Sequence, residues 1–153
     1  MAATSQVPGS HAAVGVIDPK SLTDRYVALW NEPDADRRRS MIRELWAPTG
    51  QHVLDPPEEL RTTANALGFA APTLELRGHA ALEARVARAH DEFVAPGKHF
   101  FRSRGNAAVL RNLVKFNWEM VSTATGEVAG VGLDVFEVDD RGFITCDYQF
   151  VEP

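Results

Sequence analysis

The sequence predicts an α+β fold in which a curved antiparallel sheet wraps over N-terminal helices into a cone-shaped half-barrel with a central pocket. Apolar residues recur at helical spacing as far as Phe93, and after Gly97 the period switches to two and holds to the C-terminus. Helices segregated from a run of strands joined by short turns form an α+β arrangement. The stretch Ala107 to Ser122 alternates throughout, with Leu110, Asn112, Val114, Phe116, Trp118 and Met120 on one face. At about 3.4 Å per residue it would span roughly 50 Å, far beyond an ordinary strand, so it must bend strongly or break at a bulge. A sheet bent over helices leaves a pocket between the two layers.

Composition narrows the class. At 153 residues the chain fits one domain able to bury a core without metal or disulfides. Its 44% hydrophobic and 24% charged residues are those of a soluble globular protein. A formal net charge of -5 argues against a nucleic-acid footprint and favours a small uncharged or cationic ligand. The single cysteine, Cys146, excludes an intramolecular disulfide framework and a cysteine zinc site. No apolar run is long enough for a membrane span, and the first twenty residues lack the basic start and apolar core of a signal peptide, so a cytoplasmic setting is expected.

Taken in order, residues 1–19 read as a flexible leader and 20–153 as a single domain. A first helix starts with Ser21 as cap and Asp24 three residues on, carries Leu22, Tyr26, Leu29 and Trp30 on one stripe, and ends at Pro33. Asp34 or Asp36 opens a second helix with the stripe Met41, Ile42, Leu45 and Trp46 and a solvated run Arg37, Arg38 and Arg39. Pro48 and Gly50 suggest a turn before a short strand, Gln51 to Asp55. There Val53 and Asp55 share one face and His52 and Leu54 the other. Pro56 and Pro57 stop the strand and leave the Asp55 carboxylate at its end, a common place for chemistry and equally for a turn-capping aspartate.

Glu58 to Leu67 has helical composition, Leu74 to Arg77 is a short extended piece, and Gly78 leads into a helix buried along Leu82, Val86, Ala89 and Phe93. His79 and His90 lie on that helix with no second ligand at metal spacing. Lys98 to Arg104, Ala107 to Ser122, Val128 to Asp139 and Phe143 to Val151 complete the chain as strands, the last with Ile144, Cys146, Tyr148 and Phe150 on one face.

The strand VAGVGLDVFEVD organises the rest. Gly130, Gly132, Asp134 and Phe136 share a face, so two missing side chains lie beside one carboxylate and form a hollow with an acid in it. Desolvation there disfavours the charged form. The alternatives are a bend or bulge marked by the glycines and a structural, hydrogen-bonding aspartate. The opposite face, with Val131, Leu133 and Val135, also needs cover. No GxGxxG, Walker, GxSxG or HExxH signature is present.

The segments RYVALWNEPDADRRRSMIRELWAP, HVLDP, GHAALEA and GLDVFEVDDRGFI resemble the nuclear-transport-factor-like superfamily, in its SnoaL-like branch of small pocket proteins, over nearly everything after residue 20. Within it the steroid Δ-isomerase pattern places a first-helix tyrosine on Tyr26, a base aspartate on Asp55 and a late-strand aspartate on Asp134. That resemblance implies Asp55 as general base, with Tyr26 and a protonated Asp134 donating hydrogen bonds to the developing oxyanion. It implies no metal and no organic cofactor. Trp30, Phe116, Trp118 and Phe136 would line the pocket, or simply pack the core. The chain departs from the pattern in a longer second helix and an insertion, residues 58–73.

Three functions follow as expectations. One is a cofactor-independent isomerase or polyketide-type cyclase acting on a hydrophobic carbonyl compound. Another is an epoxide hydrolase with an Asp-Arg-Asp relay built from Asp55, Asp134 and Arg102 or Arg111. The third is a non-catalytic ligand-binding or association module. A homodimer is expected through the Val131, Leu133 and Val135 face.

Overall fold

Helix α1 (Pro19–Asn31) starts earlier than Ser21. Asp18 is the N-cap, its side chain accepting from the Ser21 N–H at 3.2 Å, and Pro19 stands in the first turn, where its missing N–H costs nothing. The computed structural model describes residues 16–70 and 72–152, so the leader expected over 1–19 lies outside the described residues up to residue 15. Helix α2 (Ala35–Leu45) is capped by Asp34, which accepts from the Arg37 N–H at 2.8 Å. The inserted helix α3 (Glu58–Ala66) buries no residue. Helix α4 (His79–Ala89) continues into a π-helical turn, His90–Val94.

Seven strands form one curved, unclosed sheet: β1 (Trp46–Leu54), β2 (Leu74–Arg77), β3 (His99–Ser103), β4 (Ala108–Leu110), β5 (Leu113–Ser122), β6 (Val128–Val138) and β7 (Ile144–Glu152). Their order is β2-β1-β7-β6-β5-β3, with β4 paired to β5. All pairings are antiparallel except β1 with β7. The sheet is therefore mixed at one seam. Helices α1, α2 and α4 pack in its hollow, around a core that includes Tyr26, Leu29, Ile42, Trp46, Leu82, Phe116 and Phe136.

Three local features differ from the sequence reading, each for a reason of backbone geometry. The long strand breaks at Arg111, which takes the left-handed φ of 54°, so that Leu110 pairs back onto Leu113 in a tight hairpin. The expected turn at Pro48 and Gly50 is a bulge inside β1, whose pairing jumps from Trp46 opposite Ile144 to Gln51 opposite Cys146. A Cβ on Gly50 would lie 3.0 Å from both the Ala47 oxygen and the Trp46 ring. A second bulge leaves Thr145 unpaired, because Val138 faces Ile144 while Glu137 faces Cys146. It reverses the alternation of β7, and the buried polar face becomes Asp147 and Gln149, leaving Tyr148 and Phe150 exposed.

Gly132 faces Trp118 across the β5–β6 pair, and a Cβ there would stand 2.1 Å from Trp118 Cζ2. The indole has no room to yield: its Nε1 donates to Asp134 Oδ1 at 2.7 Å, and its ring meets Phe101 edge-on at 5.7 Å. Gly132→Ala is therefore expected to destabilise the fold by about 1–3 kcal/mol. Gly130→Ala would meet only the flexible Met120 side chain, at 3.6 Å, and is expected to cost less. Urea unfolding of both variants checks this ordering, and equal midpoints would contradict it.

Candidate functional site

A cavity of about 200 Å³ opens between the sheet and helices α1 and α4. Its walls are apolar and aromatic: Trp30 from α1, Phe93 after α4, Phe101 from β3, and Trp118 and Met120 from β5. Tyr26, Arg85 and Gln149 bring polar groups to it. Small-molecule pockets usually measure about 300–1,000 Å³. The space suits something smaller than a drug-sized ligand.

Beneath the cavity lies a polar cluster with no exposure to solvent. Asp134 on β6 and Asp147 on β7 are both fully buried. Tyr26 Oη is 2.8 Å from Asp134 Oδ2 and 2.5 Å from Asp147 Oδ2. Asp134 also accepts from Trp118 Nε1 and, at 3.2 and 3.4 Å, from Gln149 Nε2. Asp147 is poorer in partners: its Oδ1 has none, and His52 Nε2 stands 3.8 Å from its Oδ2.

Proton counting assigns the charges. A phenol has one hydrogen, so Tyr26 can donate to only one of the two acids, and the other contact needs a carboxyl proton. Asp134 faces three donors and is the ionised member. Asp147 then carries the second proton and donates it to Tyr26 Oη. Burial, then the charge of Asp134, drives the Asp147 carboxyl well above its ordinary range, and burial also raises Asp134 against the hydrogen bonds from Trp118, Tyr26 and Gln149. The Tyr26 hydroxyl is pushed upward as well, by burial and then by the two acids. Burial, then the positive charge of Arg85, lowers His52 to about 4, so its imidazole is neutral at pH 7.

Of the residues singled out from sequence, Tyr26 and Asp134 come together and Asp55 does not join them. Asp55 lies on the face of the sheet turned away from the helices, paired to Arg61 of α3, beside a groove that Val53, Tyr148 and Phe150 also line. The strand alternation that puts His52 inward puts Asp55 outward. Trp30 and Trp118 line the cavity, whereas Phe116 and Phe136 are core residues packed 5.8 and 4.7 Å from the Tyr26 ring. The inserted residues 58–73 do not line it. Arg102 donates to Glu119 and Arg111 sits in the β4–β5 hairpin, so neither stands between two acids.

Sequence reasoning missed Asp147, Gln149, His52 and Arg85. His52 carried a usable signal in its alternation with Asp55. Asp147 and Gln149 were masked by the Thr145 bulge, which moves them to the inner face.

No family model matches the chain, and no curated protein matches it. Solved structures do match. A candidate isomerase of the SnoaL-like family from Agrobacterium tumefaciens superposes with a TM-score of 0.70 at 22% identity, over 88% of this chain and 97% of that one. A SnoaL-like protein of unknown function from Burkholderia thailandensis gives 0.60 at 16%, over 95% and 100%. A candidate SnoaL-like polyketide cyclase from Jannaschia gives 0.59 at 12%, over 95% and 92%. At these identities the likeness speaks for architecture, and the chain has the SnoaL-like, nuclear-transport-factor-like fold.

Proposed function

We propose that this chain binds a small hydrophobic carbonyl compound in the cavity and acts on it by cofactor-independent proton transfer, as an isomerase or polyketide-type cyclase. The observation that carries the reading is the phenol of Tyr26 at the cavity floor, held between one ionised and one protonated acid. Two carboxyls buried around one hydroxyl cost stability, and strongly perturbed acids gather where chemistry is done. A substrate oxygen that took the place of Asp134 as acceptor would receive the Tyr26 hydrogen bond, with Asp147 behind the phenol supplying its proton. No carboxylate of the described residues lines the cavity, so the proton shed beside the carbonyl would pass to water at the cavity mouth. Asp55 has no part in this scheme.

A second reading, ligand binding without turnover, draws on the saturation of Asp134 by Tyr26, Trp118 and Gln149. The two separate in one experiment, in which small unsaturated ketones are incubated with the protein in D₂O and watched by NMR. Catalysed exchange next to the carbonyl is expected in the native protein. It should fall about 10²–10³-fold in Tyr26→Phe, the usual cost of removing an oxyanion donor, and remain unchanged in Asp55→Asn. Binding with no exchange would favour the second reading, and loss of exchange in Asp55→Asn would contradict the first.

The outer face of the sheet supports a homodimer. Leu133 and Val135 of β6 pair with Phe150 and Tyr148 of β7, which are 45% and 36% exposed. A contiguous apolar patch of this kind marks an association surface. Light scattering at micromolar concentration is expected to give twice the 16.8 kDa chain mass, and Phe150→Glu to lower it; a monomeric mass in the native protein would contradict the proposal.

A further inference from the structure

We infer that the cavity's ligand is a small apolar carboxylate, its charged end held by Arg85. The inference rests on the reading of the cavity as a small-molecule site and specifies what enters it. Arg85 is the one charged residue among those that line the cavity. It forms no salt bridge among the described residues. Its guanidinium carbon lies 5.7 Å from the centroid of the Trp30 ring. Trp30 lines the cavity with its ring, which is 8% exposed and gives the guanidinium a face to lie over.

A part-buried cation without a counter-ion thus stands on the wall of an otherwise apolar cavity. It is costly left alone, and one acceptor-rich anion would satisfy it. A carboxylate fits by chemistry. It is planar and it matches the guanidinium fork. A phosphate would bring further charged oxygens against Phe93, Phe101 and Met120, where nothing can solvate them. The acids offer no competing anion at the wall, because Asp134 and Asp147 lie behind Tyr26 and do not line the cavity.

The net charge of -5 suggested a neutral or cationic ligand. Locally the sign is reversed, and the local charge decides, since water screens the distant surface acids. The aromatic walls opposite Arg85 set the remainder of the ligand as a compact ring or short hydrocarbon, and the 200 Å³ volume caps its size.

Titration with phenylacetate, phenylacetamide and phenylacetone at neutral pH tests the inference, followed by ¹H–¹⁵N NMR of the Trp30 indole, assigned through Trp30→Phe. Phenylacetate should bind at least about tenfold more tightly than the isosteric amide, as a charge-assisted hydrogen bond provides, and should shift the resonance of the Trp30 indole that lies under the guanidinium. In Arg85→Gln that preference should disappear. Equal binding of acid and amide by the native protein, which needs no variant, would overturn the inference, as would a preference retained in Arg85→Gln. Should the ketone bind while the acid gains nothing, the carboxylate assignment falls and the pocket reading stands; should none of the three bind, both fall.

Discussion

One hydroxyl holds this architecture together. Tyr26 reaches from α1 across the hollow of the sheet and meets carboxyls from two adjacent strands, β6 and β7, at hydrogen-bond distance. Its ring is packed by Phe136, Phe116, Trp30 and Trp46 at centroid separations of 4.7 to 6.4 Å. Helix, sheet and cavity floor thus share one side chain. Burying two acids is favourable only while a proton and several donors offset their desolvation, and Trp118, Gln149 and Tyr26 supply those donors from three separate elements.

The arrangement makes the protein's electrostatics asymmetric in pH. Folding raises both carboxyls above their ordinary 3.8, so each contributes stability that is fully present below that value and is lost as pH rises through the elevated one. His52 runs the other way. Lowered from 6.5 to about 4, it contributes stability above its ordinary value that is lost as pH falls through 4. The cluster therefore penalises both extremes. A core of plain hydrophobic residues would avoid both costs.

The architecture was largely legible from periodicity, because long amphipathic segments such as α4 and β6 declare their faces. The hollow at Gly130, Gly132 and Asp134 was equally readable, since alternation fixes which side chains share a face. Asp147 was not. A single unpaired residue, Thr145, shifts the phase of β7, and bulges leave little trace in composition. Asp55 misled for the opposite reason: its DP pair carried a family's motif, yet its parity with inward His52 had already placed it outside. Arg85 was invisible because whether a helical arginine faces solvent or a cavity depends on which elements pack against it, and no local pattern records that.

At neutral pH two buried acids and a phenol hold a single extra proton between them. Carbon-detected NMR titration of the aspartate carboxyls tests it most directly. Asp147 is expected to stay protonated through pH 7 while Asp134 is already ionised there, and Tyr26→Phe to alter the titration of both. Two carboxyls titrating independently near the ordinary value of 3.8, untouched by loss of the phenol, would contradict it.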